Sequence, residues 1–163
     1  MAQQNKITPA FERRLAHATA SPAPPQAGES EHRLDVAVVF TSAAATVLAL
    51  KKAGTLAESL SARIALLVPQ VVPFPLPLES PPVLIDFSEN RFREIAAESR
   101  VETTVQIYLC RDRLETLKAV LAPHSLVVIG GRKRWWPTRE KMLARTLRLV
   151  GHDVVFTETE QEN

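Results

Sequence analysis

The residues best suited to chemistry lie in one run, VIGGRKRWWPTREK, residues 128–141. An apolar stretch enters Gly130 and Gly131; the cations Arg132, Lys133 and Arg134 follow, and then Trp135 and Trp136. Glycines at the end of a strand let backbone N–H groups approach a phosphate, and a helix N-terminus behind them adds a favourable dipole. Long cationic side chains can pair with phosphate charge, and an indole can stack on a base. Residues 132–148 carry seven Lys or Arg against Glu140 alone, although the net charge of the chain is only +2, so the basicity is regional. The run suits a nucleotide, a nucleic acid, an anionic membrane surface or an acidic protein partner, with Arg134, Trp135 and Arg139 as the outward candidates. It equally suits no ligand: at helical spacing Trp136, Leu143, Leu147 and Val150 share one side, leaving the cations on a solvated face.

Other reactive side chains are scattered. His17 and His32 fall in an N-terminal tail, and His124 and His152 fall at the starts of apolar runs, away from where the carboxyl ends of parallel strands gather. A Ser/His/Asp constellation is not expected, and no catalytic residue is assigned. Cys110 is the only cysteine, which excludes an intrachain disulfide and a Cys/His zinc site, and no metal site is expected. Arg111 and Arg113 follow it and could lower its pKa if they point toward it; a buried spectator thiol is the simpler reading. One free cysteine, no signal-peptide core and no apolar run of spanning length lead us to expect a soluble, cytoplasmic protein.

The elements that must position these residues begin at residue 33. LDVAVVF (34–40), RIALLV (63–68), VETTVQIYLC (101–110), SLVVIG (125–130) and HDVVFTE (152–158) are short apolar runs rich in β-branched residues, as strands covered on both faces require. Between them fall helical patterns. The first, from Thr41-Ser42, carries apolar residues at 47, 50, 53, 56 and 60. The second places Leu84, Phe87, Phe92 and Ile95 toward the sheet. DRLETLKAVLA is the third, and PTREKMLARTLRLVG the fourth, with Pro137 in its first turn and Gly151 at its end. PQVVPFPLPLESPP (69–82) holds six prolines and is expected to be an extended loop, not a central strand.

This βαβαβαβαβ order predicts an α/β fold: an open, doubly wound, five-stranded parallel sheet of Rossmann-like type, order 3-2-1-4-5, with helices on both faces. Its ligand crevice lies outside the carboxyl ends of the first and fourth strands, where Thr41, Ser42, Gly130, Gly131, Arg132 and Lys133 would meet. Residues 1–32 are Pro- and Ala-rich and are expected to be a flexible tail, with a possible short helix on Ile7, Phe11 and Leu15. Residues 33–158 form the domain and 159–163 an acidic tail.

The arrangement resembles the universal stress protein family, most closely over SLVVIGGRKR and LARTLRLVGHDVVFTE. There the family typically reads an apolar strand, Gly-Ser-Arg-Gly, and a helix leading to a Val-rich strand. The likeness covers residues 33–158 and implies a homodimer paired through its last strand, here Val154 and Phe156 on HDVVFTE. The ATP-binding branch adds Gly-x-x-Gly, then, about nine residues on, Gly-Ser or Gly-Thr, and an aspartate ending its first strand. Gly130 matches the first glycine, but Lys133 stands at the second, Leu143-Ala144 or Glu140-Lys141 replaces the closing pair, and Phe40 replaces the aspartate. The resemblance therefore implies a non-catalytic binding or scaffold module with a degenerate nucleotide site and no required cofactor. The alternative is a regulator that binds ATP, another nucleotide or a nucleic acid through residues 132–148.

Overall fold

A computed structural model of the chain describes residues 12–16, 34–78 and 85–160. In chain order its elements are β1 (Glu12–Ala16), β2 (Asp35–Val39), α1 (Ala43–Leu60), β3 (Arg63–Val71), α2 (Ile85–Ala96), β4 (Thr103–Cys110), α3 (Arg113–Val120), β5 (Leu126–Arg132), α4 (Arg139–Val150) and β6 (Asp153–Thr159). They form one sheet of order β1-β4-β3-β2-β5-β6. The five strands β4-β3-β2-β5-β6 are mutually parallel and reproduce the expected order.

The sheet is covered on both faces because its strands alternate. Val36 and Val38 of β2, Ile64 and Leu66 of β3, and Val105 and Ile107 of β4 pack with Leu50 of α1 and with Phe92 and Ile95 of α2. Ala37, Val39, Ala65, Leu67, Val127 and Ile129 face the other way, onto Leu117 of α3 and Leu147 of α4. Each fully buried Leu or Ile contributes about 1.5–3 kcal/mol relative to exposure. Ala49, Ala53 and Ala57 are wholly buried along α1, and a stripe of small side chains lets this helix lie close to the strands.

An unanticipated sixth strand stands at one edge. β1 pairs antiparallel with β4, from Glu12 opposite Tyr108 to Ala16 opposite Thr104. The helix expected on Ile7, Phe11 and Leu15 is thus replaced at residues 12–16 by extended chain; Ile7 and Phe11 lie outside the described residues. A lone short helix is marginal in water, whereas the free edge of β4 offers a row of partners. The rest of the N-terminal tail and residues 161–163 also lie outside the described residues.

β3 does not stop at the first proline. It runs through Pro69 to Val71, with Pro69 opposite Tyr108. Ile64 and Val72 donate their N–H groups to Glu102 and Cys110, so even-numbered residues of β3 face β4 and odd-numbered ones face β2. The missing N–H of Pro69 therefore falls on the β2 side, where β2 has already ended at Val39. In α2 the inward stripe is Ser88, Phe92 and Ile95. At about 100° per residue Phe87 is turned a quarter circle off that stripe, and it is 67% exposed instead of buried. Leu84 lies outside the described residues.

α4 begins two residues later than expected, at Arg139: Thr138 is its N-cap, with its hydroxyl accepting from the N–H of Lys141, so Pro137 precedes the helix. Gly151 ends it at a φ of 110°, in the left-handed region where glycine is favoured. Among the described residues no helix is long and apolar enough to cross a membrane.

Candidate functional site

At the end of β5 the apparent phosphate turn is a strand. β5 continues through Gly130 and Gly131 to Arg132, paired with Thr157, Glu158 and Thr159 of β6. The N–H of Lys133 donates to Thr159, so by alternation the N–H of Gly131 also points into the β6 ladder. Gly130 faces the opposite way, and its carbonyl accepts from the Thr41 hydroxyl at 2.7 Å. Packing explains both glycines. A Cβ on Gly130 would lie 2.0 Å from the carbonyl oxygen of Ala45, where the first turn of α1 presses on the strand. A Cβ on Gly131 would lie 2.5 Å from the ring of Phe156.

The structure does bring most of the expected ligand residues together. Thr41, Ser42, Gly131, Arg132, Arg134, Thr138 and Glu140 line a cleft of about 270 Å³ between the N-termini of α1 and α4. Its hydrogen-bonding groups are largely engaged within the fold. The Thr41 N–H donates to the Thr46 hydroxyl, and Ser42 caps α1 by accepting from Ala45. Lys133 points away, toward Glu160 at 3.9 Å.

The basic loop is partly neutralised by the last strand. Lys141 pairs with Glu158 at 2.7 Å and also donates to the carbonyl of Arg134 at 2.6 Å. The guanidinium of Arg134 lies 5.0 Å over the ring of Trp136, and the two indoles meet edge to face at 5.3 Å. Trp136 is 44% exposed and Val150 51%, so only Leu143 and Leu147 of the expected inner stripe pack on the sheet. Trp135 is 92% exposed, and Arg139 is also on the surface.

β6 forms the edge opposite β1. The N–H of Asp153 donates to Ser125 of the β5 side, so the N–H and C=O groups of Val154, Phe156 and Glu158 point outward. Arg148 of α4 covers one of them, donating from Nε and Nη2 to the Val154 carbonyl at 3.2 and 2.8 Å. The side chains of Val154 and Phe156 turn to the α4 face of the sheet, so the edge presents their backbone rather than their apolar surface.

His124 and His152 serve the amino end of the fold, and His17 and His32 lie outside the described residues. His152 is buried and its Nδ1 accepts from the N–H of Ser125 at 3.2 Å; Nδ1 of His124 lies 3.1 Å from the carbonyl of Gly151. Cys110 is buried, and desolvation raises its pKa, outweighing the Thr116 hydrogen bond and the Arg113 charge, which lower it. Arg111 is committed elsewhere. It donates to the carbonyls of Val72 and Leu76 at 2.7 and 2.6 Å and lies 4.1 Å over the Phe74 ring, stapling the first part of the Pro-rich segment to the end of β4. Among the described residues no three His, Cys, Asp or Glu side chains converge as metal ligands would.

A second opening at the carboxyl edge was not visible in the sequence. It has a volume of about 320 Å³ and lies between the ends of β2 and β3 and the start of α2, with Arg113 reaching into its wall. The only signal was negative: Phe40 where a nucleotide site of the resembled family carries aspartate, and a cation just after the third of the five parallel strands. Neither a scan against models of known protein families nor a search of curated proteins finds a match to this chain.

Proposed function

We propose that the chain is a non-catalytic binding module of universal-stress-protein type, acting in the cytoplasm, that pairs with a second copy of itself through β6. The observation that carries this reading is the outward-facing backbone of Phe156 and Glu158 at the sheet edge, an open template for strand addition. Exposed Met142 and Leu149 on α4, the helix whose Arg148 reaches that edge, supply apolar surface to accompany the strand pairing. A nucleotide is not required: the glycines that would have to approach a phosphate carry strand pairing and close packing instead. Among the described residues His124, His152 and Cys110 are occupied structurally, which supports a binding role over catalysis.

Sedimentation velocity over a range of concentrations tests the pairing. The chain is expected to dimerise, and Val154→Pro, which removes one outward N–H while sparing the β5 ladder, is expected to shift it to monomer with an unchanged circular dichroism spectrum. A wild-type monomer at every concentration would end this proposal. Calorimetry with ATP, ADP and AMP tests the other half, because micromolar binding contradicts a filled-in cradle.

The exposure of Trp135 beside Arg132 and Arg134 favours a second reading, a regulator that binds nucleic acid or nucleotide through residues 132–148. Salt-sensitive quenching of tryptophan fluorescence by single-stranded DNA, lost on charge reversal at Arg132 and Arg134, would select it over the first.

A further inference from the structure

The 320 Å³ cavity at the carboxyl ends of β2 and β3 is close to the lower end of small-molecule sites, which run from roughly 300 to 1,000 Å³. Its walls are mainly apolar, formed by Phe40, Val68, Val71, Phe87 and Phe92, with Arg91 as a second cation beside Arg113. Phe40 and Phe92 meet edge to face at 4.9 Å, which gives one wall an aromatic corner. Two of its polar groups have buried atoms without hydrogen-bond partners: Nε of Arg113, a donor, and Oε1 of Gln70, an acceptor.

Arg113 crosses the end of the sheet from α3, and its Nη2 donates to the Phe40 carbonyl. Among the described residues it has no carboxylate partner; Glu140 acts on it only through its longer-range field, while burial pushes its pKa down. A guanidinium remains charged at neutral pH. Arg113 is half-buried, with its Nε withdrawn from water beside apolar rings and one neutral carbonyl as its partner, so its charge is incompletely compensated, and an anion entering the cavity would complete it. Gln70 calls for the opposite, a hydrogen-bond donor. The two unpartnered atoms thus ask for an anionic acceptor and a hydroxyl or N–H on one molecule, with an apolar body between them.

We infer that this cavity binds a small hydroxycarboxylate with an aromatic body, its carboxylate on Arg113 and its hydroxyl on Gln70. The site is distinct from the basic loop and from the β6 edge, and it does not depend on the self-association proposed above.

The full chain is titrated with 3-hydroxybenzoate, 4-hydroxybenzoate, benzoate and phenol, and followed by proton–nitrogen spectra that include the Arg Nε–H signals. Saturable shifts are expected at Arg113 Nε–H and at the amides of Val71 and Phe92. The better hydroxybenzoate should bind about 5-fold more tightly than benzoate, the difference of one hydrogen bond, and at least about 10-fold more tightly than phenol. Arg113→Gln should abolish binding, and Arg113→Lys, which keeps the charge but loses the fork, should retain part of it. Since Arg113 also holds the Phe40 carbonyl, Val71→Trp is the independent variant: it fills the mouth without touching Arg113 and should remove binding from a folded protein. The proposal is overturned if no saturable shift appears at millimolar ligand, if shifts centre on Arg132 and Arg134, if phenol matches the hydroxybenzoates, or if folded Arg113→Gln or Val71→Trp binds as well as wild type.

Discussion

The guanidinium of Arg113 donates to the main-chain carbonyl of Phe40, standing in for a backbone N–H that Pro69 does not have. Along the β2–β3 ladder Arg63 donates to Leu34, and Phe40 donates to Leu67 at 2.9 Å. The next donor in that alternation is residue 69. A side chain from the opposite face of the sheet thus closes the ladder where proline interrupts it, and the crossing arm forms one wall of the cavity.

Arg113→Met should leave the Phe40 carbonyl unsatisfied and lower stability to urea by about 1–3 kcal/mol. Adding Pro69→Ala to that variant restores an N–H on the β2 side of β3 and should recover part of the loss, although the same change in the wild-type background has little to gain. Strictly additive effects in the double-mutant cycle would show that the two groups do not serve the same carbonyl.

Gly130 and Gly131 are adjacent, but their substitutions should differ. A Cβ on Gly130 meets backbone, 2.0 Å from the Ala45 carbonyl oxygen, so α1 itself must move. Gly130→Ala is expected to cost about 3 kcal/mol or more, at or above the usual range for overpacking. Gly131→Ala meets the tip of the Phe156 ring, which can rotate, and should cost less. Thermal denaturation of both, with Phe156→Leu added to Gly131→Ala, checks this: the smaller side chain should rescue Gly131→Ala and leave Gly130→Ala unimproved.

The sheet order was legible because strands buried on both faces must be continuously apolar, and Val36–Val39, Ile64–Val68 and Val127–Ile129 are. What escaped depends on direction rather than composition. Pro69 looks like a strand breaker until its N side is seen to face a vacated edge. Gly130 and Gly131 look like a turn because the same residue serves left-handed backbone and close approach, and only the packing of Ala45 and Phe156 separates the two. The meeting of Thr41, Ser42 and Arg132 followed from topology alone. Arg113 and Gln70 could not be found that way, since what marks them is the absence of a partner in space.

Cys110 should make stability fall at alkaline pH. Burial holds its folded pKa above the ordinary 9.0, so between that value and the folded one the unfolded chain releases a proton that the folded chain keeps. The unfolded state then binds fewer protons, and stability declines as pH rises through this window, with no contribution below it. Comparing urea midpoints at about pH 8 and about pH 10, wild type should lose more than Cys110→Ala, in which this thiol is absent. Equal losses would mean that the thiol ionises alike in both states.

Arg148 and β6 give the sharpest test of how the edge is used. Strand addition needs the outward N–H and C=O groups of Val154, Phe156 and Glu158, and Arg148 already holds the Val154 carbonyl with two hydrogen bonds. In the free chain this contact blunts the edge, as a charged side chain laid over an edge strand does elsewhere. Pairing with a second copy must displace it, so part of the association energy goes into breaking a contact to a charged group. Arg148→Ala removes that competition without touching the residues of the strand. Its dimer should be tighter by about 5-fold, the worth of roughly one exposed hydrogen bond, with the difference shrinking as salt weakens the charge. Weaker association of the variant would place Arg148 inside the interface as a contact, and an unchanged constant would move the interface off β6.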